Sequence, residues 1–454
     1  MRRALGLVLA AVVGAGALIV YGPGQDRTDH GDGRLGSGSG SGSGERAGVF
    51  PPAVSPHSVS AMIEQARARL KRAPDEARLW AELGTAYVEQ ARVAADPTYY
   101  TKAEQALRKA LTLRHRSPED RARAQTGLGT LANARHEFRD AERWAEQALQ
   151  LDPDHWMLYG VLADARLQLG ERRSAEEALR TMMNLRPGVA SYTRAAHYFT
   201  LTGRPERAAE ALDLAISAAA PAAAPAAAAE LAFCHERKGE LAWHTGRPRT
   251  ALAAYDRALA ADPHHAAALA GRGRAKAALG RTEEALRDYT ASLKHAPHPA
   301  VLVELGELYL SLGRQAQAER QFMLFEDVQK LFRASGVADG LLAGRYESEH
   351  GDPATAVRLL RAEWARGRTA ERADALGWAL HRAGHHAHAL PYARQATELD
   401  GHRAEFAYHR GRIEQALGMA GPGREHIGRA LRLNPHFSPL HAPKAKAALG
   451  KAHR

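Results

Sequence analysis

The chain holds one cysteine, Cys234, in 454 residues, so no internal disulfide can form. Cys234 falls among helix positions, where a small buried residue is the expectation and a reactive thiol the alternative. Few stretches look like strands, while alanine and arginine, both good helix formers, are abundant. Catalytic signatures are missing: there is no H-E-x-x-H, no G-x-S-x-G and no phosphate loop. Gly271-Arg272-Gly273 is glycine-rich, but no strand precedes it. No unassigned stretch is long enough for a catalytic domain, so the expectation is a non-enzyme without a cofactor. A block of Lys and Arg is also lacking. The net charge of +11 is spread along the chain. Arg204, Arg247, Arg281 and Arg314 each follow a glycine and read as solvated turn residues, with a mild attraction to acidic partners.

What is present is a fixed period. Gly239 recurs as Gly273, Gly246 as Gly280, Ala251 as Ala285, Tyr255 as Tyr289 and Pro263 as Pro297. Every step is 34 residues, the mark of a repeat array. With Gly239 set at the eighth position of the unit, positions 4, 7, 8 and 11 share one stripe of a first helix. Positions 20, 24 and 27 share a stripe of a second. Small residues in each stripe let two backbones approach, and large ones fill the remaining space. A glycine near position 15 ends the first helix in a left-handed cap, and a proline at position 32 stops the second. The unit is a helical hairpin.

These residues resemble the tetratricopeptide repeat, W-x2-L-G-x2-Y then A-x3-F then P. Trp80, Leu83, Gly84 and Tyr87 reproduce its first half. Leu305, Gly306, Tyr309, Gly313, Ala318 and Phe322 form another clear copy, and Leu376, Gly377, Gly384, Ala389 and Ala396 a later one. Ten copies fall between Ala77 and Pro435. The resemblance implies an all-α fold, a right-handed superhelical solenoid of about ten hairpins with capping helices. Each hairpin is too short to be stable alone and buries its apolar faces on its neighbours.

The chain then divides as follows. Residues 1–21 carry Arg2 and Arg3 before an uncharged apolar run, an export signal or a signal-anchor helix. Ala15-Gly16-Ala17 has the form of a cleavage site, but Leu18-Ile19-Val20 follows it, which favours a retained anchor. The repeats would then lie outside the cytoplasm, membrane-tethered, or secreted if the signal is cut. Residues 22–56 form a Gly/Ser-rich flexible linker, and 57–76 an N-terminal capping helix. Repeats 1–4 occupy 77–217, an Ala/Pro connection 218–229, repeats 5–10 residues 230–436, and a C-terminal cap 437–454. The first repeat carries an insertion around Arg92–Tyr100, and the second helix near Val328–Gly340 is extended. Core packing is the default for its Phe322, Phe325 and Phe332, with partner docking as the alternative.

Partners of the resembled family bind the concave surface lined by first helices, at positions 2, 5, 9 and 12. Carried onto this chain, those positions include Arg123, Asp164 and His197 early on, then Phe233, Glu236, Glu240, Trp243 and Arg274. The later copies add Glu307, Arg345, Asp374, Trp378, His381, Tyr408 and Arg412. Aromatics interleaved with both charge signs suit an extended peptide. No lysine occupies position 5 or 9, which disfavours the family's C-terminal carboxylate clamp. The expected function is therefore an extracytoplasmic scaffold for a protein or peptide partner, without nucleic acid. Two alternatives belong to other classes. One is RNA binding by helical repeats, favoured by the positive charge. The other is metal binding at the turn holding His381, His385, His386 and His388, although Gly384 interrupts the helix there.

Overall fold

A computed structural model of the protein describes residues 56–114, 116–219, 225–337 and 339–450. The apolar segment 1–21, and all but the last residue of the 22–56 linker, lie outside the described residues. Among the described residues no helix is long and apolar enough to cross a membrane.

The described residues form 22 helices and no strand. Helix α1 (Pro56–Arg72) precedes ten antiparallel hairpins. The first five are α2 (Ala77–Ala94) with α3 (Thr98–Thr112), α4 (Pro118–Ala134) with α5 (Phe138–Leu149), α6 (Trp156–Leu169) with α7 (Arg172–Leu185), α8 (Val189–Leu201) with α9 (Pro205–Ala219), and α10 (Pro225–His244) with α11 (Pro248–Ala261). The second five are α12 (Ala266–Ala278) with α13 (Thr282–His295), α14 (Pro299–Ser311) with α15 (Gln315–Ala334), α16 (Gly340–His350) with α17 (Pro353–Arg366), α18 (Ala370–Arg382) with α19 (His386–Leu399), and α20 (Ala404–Ala416) with α21 (Ala420–Leu433). Helix α22 (His441–Gly450) packs on α21 and closes the series. The architecture is an all-α superhelical repeat.

The repeat residues do the work their spacing implies. A Cβ on Gly239 would stand 2.4 Å from the ring of Tyr255, so α10 and α11 touch there only because one carries no side chain. Seven hairpins turn on a glycine of positive φ, from Gly170 to Gly418. The first two use Ala95 (φ 51°) and His136 (φ 63°) in its place, and the eighth turns at Gly351 with φ −123° and Asp352 capping the next helix. The insertion of the first repeat lengthens α2 to Ala94 before a left-handed turn at Ala95. In the 218–229 stretch, α9 runs to Ala219 and Pro225 opens α10. Helix α15 is 20 residues long. Its Phe325, Val328 and Phe332 are buried in one apolar cluster with Tyr100, Leu128 and Leu131 of the first two hairpins. Two of its phenylalanines are thus core residues, and the exposed apolar side chains of α15 are Met323 and Leu324 instead.

That cluster is part of a longer seam, because the coil lies on itself. The end of each first helix in hairpins two to five meets the loop leaving the hairpin five further on. Gly336 lies against Arg135, and Gly170 against Arg368. Gly203 faces Asp400, and Gly246 faces Leu433 and Asn434. Polar groups stitch these contacts. Buried Arg372 donates to the carbonyl of Gln168 at 2.6 Å while pairing with buried Glu363 at 3.1 Å. Arg172 donates to the carbonyl of Leu399 at 3.2 Å, and the Asn434 amide to that of Trp243 at 2.9 Å. Each accepting carbonyl belongs to the last turn of a helix, where no intrahelical donor is available.

Two glycines with the same backbone isolate the value of the seam. Gly246 (φ 70°) and Gly280 (φ 79°) are both left-handed, but a Cβ on Gly246 would stand 2.2 Å from the Leu433 carbonyl oxygen and one on Gly280 would meet nothing. Gly280→Ala should cost about 1 kcal/mol, the conformational term alone. Gly246→Ala should cost several times more, read as the shift in a urea-unfolding midpoint. Equal shifts would mean that the two turns of the coil do not touch in solution.

Candidate binding chamber

Because successive turns meet, the concave face is the wall of a central chamber rather than one side of an open groove. The chamber has a volume of about 1390 Å³ and is lined from Val88 of α2 to Lys446 of α22. It exceeds the roughly 300–1,000 Å³ usual for small-molecule pockets. Its wall carries seven Lys or Arg and nine Asp or Glu side chains, with eleven of the chain's 23 histidines.

Side chains at corresponding positions of consecutive hairpins link across the wall. Glu240, at position 9 of the fifth hairpin, accepts from Arg274, its counterpart 34 residues on, at 2.8 Å. Tyr255 donates to the same carboxylate at 2.5 Å. Arg274 also approaches Glu304 at 3.5 Å and lies 5.3 Å from the centre of the Trp243 ring. Burial pushes the Glu240 carboxyl upward, but Arg274, His244 and Arg237 together hold it down at about 2. The histidines respond in the opposite sense. Desolvation, helped by the charge of Arg237, lowers His197 and His298 to about 4, so both are neutral at pH 7. Cys234 is fully buried, and desolvation followed by Glu230 and Glu236 raises its thiol to about 12, which makes it inert.

Ten of the residues assigned to the concave face line the chamber: His197, Phe233, Glu236, Glu240, Trp243, Arg274, Glu307, Arg345, Asp374 and Trp378. Arg123, Asp164, His381, Tyr408 and Arg412 do not. Tyr408 is a correction: it is 1% exposed, with Phe437 and His441 packed over its ring. Several concave-face residues are already engaged. Asp164, off the chamber wall, is buried against Arg194 at 3.0 Å, and Glu236, on the wall, is buried and paired with Arg237. Trp243 and Trp378 are 5% and 6% exposed, so they present ring edges rather than free faces. Position in the repeat identifies the wall, but not how much of each side chain is spent inside it.

The histidine-rich turn divides into two pairs. His381 and His386 stand 4.7 Å apart between ring centres, and His385 and His388 6.3 Å apart. Among the described residues this turn supplies no set of three ligands. A convergent set does occur elsewhere, at Glu349, His409 and His441. No local sequence signal marks it, because its members sit off the concave positions and in three different helices.

Hairpins stacked in near-constant register around a lined interior define an α-solenoid built for protein–protein association. The family profile described as Tetratricopeptide repeat matches residues 236–286 and 271–324. Residues 236–324 are thus tetratricopeptide repeats, and the other hairpins share their helical-hairpin fold. No curated protein matches it. Among solved structures it is similar to MamA at 19% identity, covering 37% of this chain and 94% of that one with a TM-score of 0.29. It is similar to a tetratricopeptide repeat protein from Parabacteroides merdae at 21% identity, covering 59% and 99% with a TM-score of 0.33. A human IFIT1 dimer with PPP-AAAA shares 16% identity, covering 83% and 88% with a TM-score of 0.44.

The lowered histidines set a pH dependence. An imidazole at about 4 in the folded chain and near 6.5 when unfolded gives the unfolded state more bound protons between those values. Stability is then complete above about pH 6.5 and falls as pH drops towards 4. Glu230, raised to about 7 by burial, works the other way as a single group. The melting temperature should fall between about pH 7 and pH 5, and His298→Gln should flatten that slope. A melting temperature constant over this range would show that these rings are hydrated.

Proposed function

We propose that the protein binds an extended segment of a protein partner inside the chamber, by reversible association and without bond making. The observation that carries this reading is the wall itself. First helices from most hairpins line one continuous interior, to which α10, α16, α18 and α20 bring aromatic side chains and the wall as a whole brings both charge signs, which suits a chain that alternates apolar and charged side chains. The balance of seven cations against nine carboxylates counts against a phosphate backbone, which needs a basic track.

A photoreactive amino acid at Phe233, half-buried on the wall, should cross-link a partner in cells. The same group at Met323, 59% exposed on α15, should not. Capture at Met323 alone would place the binding surface outside the coil. We also propose that the repeats work outside the cytoplasm, tethered by residues 1–21, from the pairing of Arg2 and Arg3 with the apolar run behind them. Protease added to intact cells should degrade the repeat domain. Degradation only after the membrane is broken would refute this placement.

A further inference from the structure

At the C-terminal end of the chamber three side chains from three helices converge. Glu349 on α16, His409 on α20 and His441 at the start of α22 each offer a ligand atom, and all these atoms lie within 4.8 Å of one another. Oε2 of Glu349 is 3.4 Å from Nε2 of His441. Two donors on a tetrahedral zinc, each ~2.0–2.1 Å from the metal, stand roughly 3.3 Å apart. That edge is already formed, and only His409 has to draw in.

The surroundings fix these rings as a metal site requires. Both oxygens of Asp374 lie 3.0 Å from Nδ1 of His409. Asp374 is itself buried, so Nδ1–H is committed to it and Nε2 is left with its lone pair. A carboxylate behind a liganding imidazole sets its tautomer and raises its basicity. Trp378 stacks on His409 at 4.1 Å and 16°, and its indole N–H donates to Glu349. Tyr408 stacks on His441 at 5.1 Å and 25°. Arg382 donates to Oε2 of Glu349 at 3.1 Å, but a carboxylate oxygen has two lone pairs, and the half-exposed guanidinium can yield to a divalent cation.

We propose that Glu349, His409 and His441 form a zinc site, oriented by Asp374, whose fourth position opens into the chamber. Two imidazoles with one carboxylate are donors that suit zinc, and three protein ligands leave a position for water or for a donor atom of whatever occupies the chamber. The histidines that matter are thus not those crowded in sequence at His381–His388.

The test uses the full chain without a polyhistidine tag, stripped by chelator and titrated with zinc alone. One equivalent should bind and raise the melting temperature. Cobalt in the same site should give the intense visible bands of tetrahedral coordination. Glu349→Gln keeps the shape and an acceptor for Trp378, and His441→Ala removes one ligand. Both should weaken zinc binding more than about 100-fold and abolish the cobalt bands. Asp374→Asn, acting only through His409, should weaken it about 10–100-fold with the bands retained. The double variant of His385 and His388 to Ala should bind as the parent does. No stoichiometric binding by the parent, or binding unchanged in Glu349→Gln and His441→Ala at native circular dichroism, would overturn the assignment. Zinc is read here without any partner, so this result stands apart from the cross-linking outcome.

Discussion

The structure depends on helix ends that satisfy one another across turns of the coil. The last carbonyls of a helix have no donor within it, and here they are met by Arg372, Arg172 and Asn434 from hairpins about 200 residues away in sequence. In an open solenoid each hairpin has only its two neighbours. In this chain, hairpins two to five also have a second layer of contact, and burial of charged groups such as Arg372 and Glu363 is tolerated because each has its partner. The extended α15 adds apolar weight to the same seam by placing Phe325 and Phe332 on the first two hairpins.

The seam converts a surface into an interior, and the chemistry of the wall follows. Imidazoles that would titrate near neutrality on an open groove are held neutral, while carboxylates such as Glu240 stay charged because an arginine stands one repeat away. The wall is therefore a lattice of paired groups with apolar edges between them. A ligand entering it exchanges existing pairs for its own, which favours partners that match the charge order and penalises those that do not.

The repeat was legible because its signals are local. Gly239 and Tyr255 lie 16 residues apart and reappear 34 residues later, so one strong copy reveals the rest. The wall positions were legible for the same reason, since a fixed offset from Gly273 or Gly377 points to the same side of every first helix. The seam was not legible. Arg372 and Asn434 look like ordinary residues at helix ends, and their partners are set by the pitch of the coil, which no single repeat encodes. Tyr408 was misread because its position faces inward but the C-terminal cap, through Phe437 and His441, covers it. The Glu349 cluster was invisible for a related reason: two members lie off the expected positions and the third lies beyond the last repeat, whereas the His381–His388 turn is crowded in sequence without converging in space.

A coil whose turns are fastened together has a topology that an open spring does not. If a partner segment binds in the chamber as proposed, the fastened turns favour its arrival lengthwise through an end. On that reading, chain ends and unstructured tails are the favoured points of entry. The turn made by Gly246 against Leu433, small as it is, is one of the fastenings that would set this route.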